Sequence, residues 1–143
     1  MIRSQTFMDT AAWIALINPD DGLYVRAVAV YSSLVQRKVP LVTTDFVLLE
    51  VADALGSPAI RARTISFING LRRGAVRIVP VSEELMMKGW ALYCQRPDKE
   101  WGLTDCTSFV IMQEEGSSEA FTSDHHFTQA GFTILLSHKP QGT

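Results

Sequence analysis

Residues 5–17 read Gln5-Thr-Phe-Met-Asp-Thr-Ala-Ala-Trp-Ile-Ala-Leu-Ile17, an apolar segment with a single acid inside it. Residues 5–8 are typical of a short buried strand that Asp9 ends. Residues 11–17 are typical of a buried helix, with Thr10 near its N-terminus. Open α/β sheets bind ligands at the carboxyl ends of their parallel strands. We therefore ask which other acids reach the same edge of the same sheet.

The length and composition indicate one globular domain spanning residues 1–143, with 47% hydrophobic and 20% charged residues. No apolar run approaches the ~20 residues of a membrane-spanning helix. The N-terminus lacks a signal-peptide pattern, since Arg3 is the only basic residue before the apolar run and Asp9 intervenes. We expect a cytoplasmic protein with no membrane partner.

Cys94 and Cys106 are isolated cysteines, and we expect both to be buried free thiols. The net charge of -2 provides no global argument for a nucleic-acid partner. Residues 57–81 nevertheless contain no acid and hold five arginines: Arg61, Arg63, Arg72, Arg73 and Arg77. These arginines form either an ordinary solvated helix face or an unopposed patch that contacts RNA phosphates or a protein partner.

Strands and helices alternate along nearly the whole chain. Strands are predicted at 5–8, 41–43, 76–81, 120–122 and 133–136, and helices at 11–17, 23–38, 46–55, 58 to 70 or 74, 83–95, 105–115 and 124–131, with a frayed tail at 138–143. Short apolar strands separated by helical crossovers pair in parallel and are covered on both faces. The expected fold class is therefore α/β, with a central, mainly parallel sheet of about five strands.

Four acids are placed to meet at one edge of this sheet. Asp9 and Asp124 each follow a predicted strand, and parallel strands bring their carboxyl ends to one edge. Asp105 lies in the first turn of a helix, directly after its predicted cap Thr104. Glu50 lies in the middle of a helix, on a side that faces either the cleft or bulk water.

Carboxylates held close together raise one another's pKa and destabilise the fold, and a divalent cation removes that penalty. Oxygen ligands suit Mg²⁺ or Mn²⁺, which also accept a substrate phosphate. The chemistry that fits such a site is metal-assisted phosphodiester hydrolysis, and spacing alone leaves open whether Asp9, Asp105 and Asp124 are metal ligands. Taken singly, Asp105 and Asp124 are equally explained as helix-terminal residues and Glu50 as an exposed helix residue. Three hydroxyl residues flank the acids and either support them or cap helices and turns: Thr10, Thr104 and Ser123.

At these acids the sequence resembles PIN domains, and within them the VapC-type toxins of bacterial and archaeal toxin–antitoxin systems. Four segments carry the resemblance, in the family's order and across essentially the whole chain. They are Met8-Asp-Thr-Ala-Ala-Trp-Ile-Ala-Leu16, Thr44-Asp-Phe-Val-Leu-Leu-Glu50, Leu103-Thr-Asp-Cys-Thr-Ser108 and Phe121-Thr-Ser-Asp-His-His-Phe-Thr-Gln-Ala-Gly-Phe132. The first and last segments are the most specific, because the second depends on a single glutamate within a helix.

The resemblance implies a three-layer α/β/α sandwich and a Mg²⁺- or Mn²⁺-dependent endoribonuclease, with Asp9, Glu50, Asp105 and Asp124 as its catalytic acids. It also implies a homodimer that a VapB-type antitoxin neutralises. Two alternatives stay open within the family: a free-standing PIN nuclease without an antitoxin, and a catalytically silent RNA-binding protein. A phosphatase of the haloacid-dehalogenase type fits poorly, because its second acid, two residues after the first, is Ala11 here.

Overall fold

A computed structural model describes residues 4–137, and within them five short strands form one parallel sheet in the order β3-β2-β1-β4-β5. The strands are β1 Thr6–Met8, β2 Leu41–Thr44, β3 Arg77–Val79, β4 Glu119–Phe121 and β5 Thr133–Ile134. The predicted frayed tail lies outside the described residues.

Helices cover both faces of the sheet. They are α1 Thr10–Ile17, α2 Tyr24–Gln36, α3 Asp45–Ala54, α4 Arg61–Arg73, α5 Glu83–Gln95, α6 Leu103–Glu115 and α7 His125–Gln129. The helices α1 to α4 contact one another, while α5 packs on α6 and α6 on α7. The predicted three-layer α/β/α arrangement with a parallel sheet is therefore confirmed. None of these helices combines the length and apolar character that crossing a membrane requires.

The strand order of the sheet reverses at β1, and a ligand site is therefore expected beside this strand. From β1 the chain moves outward to β2 and β3, and it then returns to the other side of β1 for β4 and β5. Such a reversal opens a crevice at the carboxyl ends of the two strands that flank it. Met8 of β1 is in register with Phe121 of β4, so Asp9 and Thr122 leave the sheet side by side.

Aromatic side chains fill the layers that hold these elements in place. Trp13 packs edge-on against Tyr31 and Phe67, with ring centroids 6.3 and 5.9 Å away. In another part of the core, Phe109 contacts Phe127 at 4.9 Å. The close packing of α5 on α6 requires Gly89, because a Cβ there would lie only 2.6 Å from Cγ2 of Thr107. The two helix layers are thus densely packed, and α6 is fixed where it carries Asp105.

Three local predictions are wrong. Gly102, not Thr104, precedes the first turn of α6, so the predicted Thr104 cap lies inside the helix. The fourth helix begins at Arg61, because Ser57 to Ile60 form a turn in which the carbonyl of Ser57 accepts the N–H of Ile60. Cys106 is buried as expected, but Cys94 is exposed.

Candidate active site

Asp9 is the buried centre of the site, with 3% of its surface exposed. Its backbone N–H donates to the carbonyl of Phe121 at 3.2 Å, which continues the pairing of β1 with β4. The hydroxyl of Thr122 donates to Oδ2 of Asp9 at 2.8 Å. The parallel register therefore supplies both the position of the carboxylate and its one side-chain donor.

The buried position makes the charged form of Asp9 costly. Desolvation raises the pKa of Asp9 to about 7, and hydrogen bonds from Thr122 and the Thr10 backbone offset only part of that shift. Asp105 and Asp124 raise the same pKa further by repulsion. Asp9 is thus a carboxylate poised to lose its proton near neutral pH, and a bound cation would favour that loss.

Asp105 lies at the start of α6, where the N–H of Gly102 donates to its Oδ2 at 3.2 Å. Nδ1 of His126 lies 3.3 Å from the same oxygen. Burial raises the pKa of Asp105, and repulsion from Asp124 adds to that rise, while Gly102 and His126 oppose it. The structure therefore brings Asp105 close enough to Asp124 for their charges to interact.

Asp124 caps α7 and also contacts its neighbours in the site. Its Oδ1 accepts the backbone N–H of His126 at 2.8 Å, and its own N–H donates to Oγ1 of Thr122 at 3.1 Å. Nδ1 of His126 lies 3.4 Å from Oδ1 of Asp124. Thr122 thus links Asp124 to Asp9, and His126 links Asp124 to Asp105. We call Asp9, Asp105 and Asp124 the acidic cluster.

Glu50 joins this cluster from α3 through one contact. The hydroxyl of Thr10 donates to Oε1 of Glu50 at 2.7 Å, and Thr10 directly follows Asp9 in the chain. Glu50 is exposed, unlike Asp9. The helix side that carries Glu50 therefore faces the site while the carboxylate stays open to solvent.

Two hydrogen-bonding residues of the site were missed by sequence reasoning: Thr122 and His126. The Thr122-Ser-Asp124 spacing offered a signal, because a hydroxyl residue two positions before an acid readily accepts that acid's N–H. Among the residues that the structure describes, Ser123 and Thr104 make no side-chain hydrogen bond to any of the four acids. Instead, the Thr104 carbonyl accepts the hydroxyls of Thr107 and Ser108.

Two of the five arginines in residues 57–81 pair with acids, although that segment contains none. Arg72 forms an ion pair with Asp45 at 2.7 Å, and Arg77 forms one with Glu115. Arg61 donates to the carbonyl of Gly56 at 2.7 Å, and Arg63 donates to the carbonyl of Ile17. The prediction of an unopposed patch is wrong at Arg72 and Arg77. Their acid partners come from outside the segment.

The acidic cluster fits a divalent cation by its donor chemistry. Within residues 4–137, no lysine or arginine makes an ion pair with Asp9, Asp105 or Asp124, and only the imidazoles of His125 and His126 approach them. Clustered carboxylate oxygens suit Mg²⁺ or Mn²⁺. Among the described residues, the group whose ligand atoms all lie within 4.8 Å of one another is Asp124, His125 and His126, so the three acids of the acidic cluster would have to move closer together to share one ion.

A parallel sheet of this order, with acids after β1, at the start of α6 and after β4, defines an α/β domain with an acidic site at its switch point. The chain matches the PIN domain family over residues 6–133, and it belongs to that family. The predicted resemblance to PIN domains of the VapC type is confirmed by the relatives described next.

The 23S rRNA-specific endonuclease VapC20 of Mycobacterium tuberculosis is 29% identical over 137 residues, which cover 88% of this chain and 94% of that protein. Its crystal structure, described as that of a Sarcin-Ricin loop cleaving toxin, superposes with a TM-score of 0.79 at 26% identity and covers 90% of this chain and 97% of that one. The structure of VapBC2 from Rickettsia felis, bound to a DNA fragment from the VapBC2 promoter, superposes with a TM-score of 0.65 at 13% identity. The match covers 90% of this chain and 96% of that one. FitAcB from Neisseria gonorrhoeae superposes with a TM-score of 0.63 at 17% identity. The match covers 91% of this chain and 96% of that one.

Proposed function

We propose that the chain, acting as a single PIN domain, is a metal-dependent endoribonuclease and the toxin of a VapBC-type pair. The observation that carries this proposal is the burial of Asp9 beside Asp105 and Asp124 with no lysine or arginine paired to any of them among residues 4–137. A fold does not tolerate such a cluster at neutral pH without a proton or a cation. The likeness to VapC20 supports RNA cleavage as the use of that cation.

Each acid receives a role from its environment. Asp9, Asp105 and Asp124 would hold Mg²⁺ or Mn²⁺, which when bound polarises a phosphoryl oxygen and lowers the pKa of a coordinated water. Glu50 is exposed and held by Thr10, so it orients the attacking water or accepts its proton. Thr122 fixes the carboxylate of Asp9, and Nδ1 of His126, 3.3 Å from Asp105 and 3.4 Å from Asp124, supports those two acids.

The substrate that we propose is RNA, with ribosomal RNA as the first RNA to test. The support is the rRNA specificity in the name of the VapC20 relative. Arg61, Arg63 and Arg73 are exposed along α4 and are proposed to contact RNA phosphates or the antitoxin. Arg72 would join them by giving up its ion pair with Asp45 for an RNA phosphate or an antitoxin group. That exposed ion pair contributes less than about 1 kcal/mol to stability.

The proposed partner is a VapB-type antitoxin that covers the acidic cluster, and the proposed assembly is a homodimer. VapBC2 of Rickettsia felis is named as a complex, and its VapC-like fold matches this chain. A toxin that cleaved the ribosomal RNA of its own cell would need such a neutralising partner. The cytoplasm is where ribosomal RNA and this antitoxin would both be available.

The test is cleavage of purified RNA by the purified protein. We expect cleavage with Mg²⁺ or Mn²⁺, none with a chelator, and at least about 1,000-fold less with Asp9→Asn, since that change removes a charged ligand from the reacting centre. Asp20→Asn is the matched control, because Asp20 is an exposed turn residue away from the acidic cluster. Undiminished cleavage by folded Asp9→Asn protein would rule out the assignment. RNA binding without cleavage under every metal condition would favour the silent alternative.

A further inference from the structure

A cavity of about 630 Å³ lies beside the acidic cluster, between the second half of α5 and the segment 96–103 that leads into α6. Trp90 and Tyr93 line it from α5, and Trp101 lines it from the connecting segment. Arg96 and Lys99 complete its rim. Its size falls within the range of ligand-binding pockets, and nothing in the proposed cleavage chemistry uses it.

Two aromatic rings of the cavity are preassembled and open to solvent. Trp90 and Tyr93 stack with ring centroids 5.4 Å apart and an interplanar angle of 14°. Each ring covers the other, yet Trp90 remains 47% exposed and Tyr93 44% exposed. Exposed, near-parallel aromatic rings are the surface on which proteins stack unpaired bases, because every base has a π-face.

The cationic groups of the cavity are held over its third aromatic ring. Cζ of Arg96 lies 5.1 Å from the ring centroid of Trp101, and Nζ of Lys99 lies 5.9 Å from it. Asp98 holds Arg96 through two hydrogen bonds of 3.0 Å each. Because Asp98 already pairs with Arg96 in an exposed ion pair, the cavity is not a simple anion site, and a phosphate there would share or displace that weak pair. The cavity favours a flat aromatic group with a phosphate at the rim.

The cavity and the acidic cluster adjoin at the first turn of α6. Gly102 lines the cavity and donates its N–H to Asp105. Leu103 and Cys106, on either side of Asp105 in α6, also line it. A nucleotide seated in the cavity would therefore lie next to the chain segment that positions Asp105.

We propose that this cavity binds an unpaired base of the RNA substrate, next to the phosphate that is cleaved, with Trp90 and Tyr93 as the stacking residues and Arg96 and Lys99 at its phosphate. This inference rests on the proposed ribonuclease function and adds a site for single-stranded RNA to it. Proteins that read RNA bind unpaired, splayed bases on aromatic and guanidinium planes. The competing occupant is a second copy of this chain, because Met86 and Met87 of α5 are also exposed.

The experiment measures binding of short oligoribonucleotides to Asp9→Asn protein, which retains the RNA. The probes are a single-stranded oligonucleotide, an abasic oligonucleotide of the same length, and the same sequence in a duplex. We expect Trp90→Ala and Tyr93→Ala each to weaken single-strand binding by about 10-fold, and to leave abasic and duplex binding unchanged. Trp90→Phe, which keeps a stacking ring, should remain close to the parent protein. Met87→Ala is the control, since Met87 is exposed on the same helix but does not line the cavity.

The same substitutions in the parent protein separate this site from the proposed function. If the parent protein cleaves RNA, Trp90→Ala should raise KM by about 10-fold with kcat within about 2-fold, as expected for lost stacking. Cleavage with unchanged KM and unchanged binding would overturn the cavity proposal alone. Absence of cleavage in the parent protein would overturn the proposed function instead. A fall in sedimenting mass with unchanged RNA affinity would assign the cavity to self-association and overturn RNA binding there.

Discussion

Two groups of acids in this protein differ in their partners. Five acids on the surface each pair with a lysine or arginine: Asp45, Glu84, Asp98, Glu114 and Glu115. The three acids of the acidic cluster repel one another, and in the described part of the chain their only basic neighbours are imidazoles. In the surface group, one lysine can even serve two acids, since Lys88 contacts both Glu84 at 3.0 Å and Glu114 at 2.5 Å.

This difference supports the proposal that the acidic cluster is a metal site. In a surface ion pair both charges remain in contact with water, and each pair contributes less than about 1 kcal/mol to the stability of the fold. A buried charge beside two like charges costs several times more, so Asp9 stays ionised only where a cation compensates for it. The predictions below test whether the two groups of acids behave as differently as their environments require.

The largest effect is expected at Asp105, because its change removes charge from the reacting centre. Asp105→Asn should lower RNA cleavage by at least about 1,000-fold, equivalent to roughly 4 kcal/mol of transition-state stabilisation. Asp45→Asn, which removes a surface-paired acid, should change cleavage by less than about 3-fold. Initial rates on one RNA under saturating Mn²⁺ measure both. Equal losses in the two variants would erase the distinction between the groups.

The second effect concerns the stability of the metal-free protein against pH. The pKa of Asp9 is raised from 3.8 to about 7 in the folded state, so the folded chain holds a proton there that the unfolded chain releases. Stability contributed by this proton is present below about pH 4 and is lost as pH rises toward 7. Asp9→Asn should therefore be more stable than the parent protein at pH 8 by about 2–4 kcal/mol, and similar to it at pH 4.

Urea unfolding with a chelator present, at several pH values, measures this difference between the two proteins. Asp20→Asn is the control, and its difference from the parent protein should stay flat over the same range. A parent protein that matches Asp9→Asn at pH 8 would show that burial imposes no penalty on Asp9.

Thr122 should show an intermediate effect, because it joins two members of the cluster. Thr122→Val removes the donor to Asp9 and leaves the N–H of Asp124 without its acceptor. We expect about 1–3 kcal/mol lower stability near pH 7 and about 10- to 100-fold weaker Mn²⁺ binding. Thr122→Ser, which keeps the hydroxyl, should recover most of both. Metal titration of the valine variant with the parent affinity would remove Thr122 from the site.

Glu50 should show the smallest effect, because it is exposed and, within residues 4–137, its hydrogen bond to the site comes from Thr10. Glu50→Gln should lower kcat by about 10-fold while Mn²⁺ affinity stays within about 3-fold of the parent value. Glu114→Gln, in an exposed surface pair, is the matched control. A loss of metal binding in Glu50→Gln would make Glu50 a direct ligand and extend the acidic cluster to four acids.

Much of the fold and the positions of the acids follow from local pattern. The alternation of strand and helix predicts a parallel sheet, and a parallel sheet brings the ends of β1 and β4 together. That is why Asp9 and Asp124 could be placed at one edge from the sequence. Asp105 followed from its place at a helix start, although Gly102 rather than Thr104 precedes that helix.

The contacts that complete the site depend on register and side-chain direction, which local pattern does not encode. Thr122 meets Asp9 only because Met8 is in register with Phe121. His126 reaches Asp105 across a sequence separation of 21 residues. Arg77 pairs with Glu115, which is 38 residues away in the chain. The absence of acids near Arg77 in the sequence therefore did not mean that its charge is unpaired.

The most direct test of the acidic cluster is the stabilisation that Mn²⁺ gives to the folded protein at pH 8. A ligand that binds only the folded state, at about 100 times its Kd, raises the free energy of unfolding by about 2.7 kcal/mol. We predict a rise of that order for the parent protein in millimolar Mn²⁺, and less than about 0.5 kcal/mol for Asp9→Asn. An equal rise in both proteins, or no rise in the parent protein, would contradict a metal site at these acids.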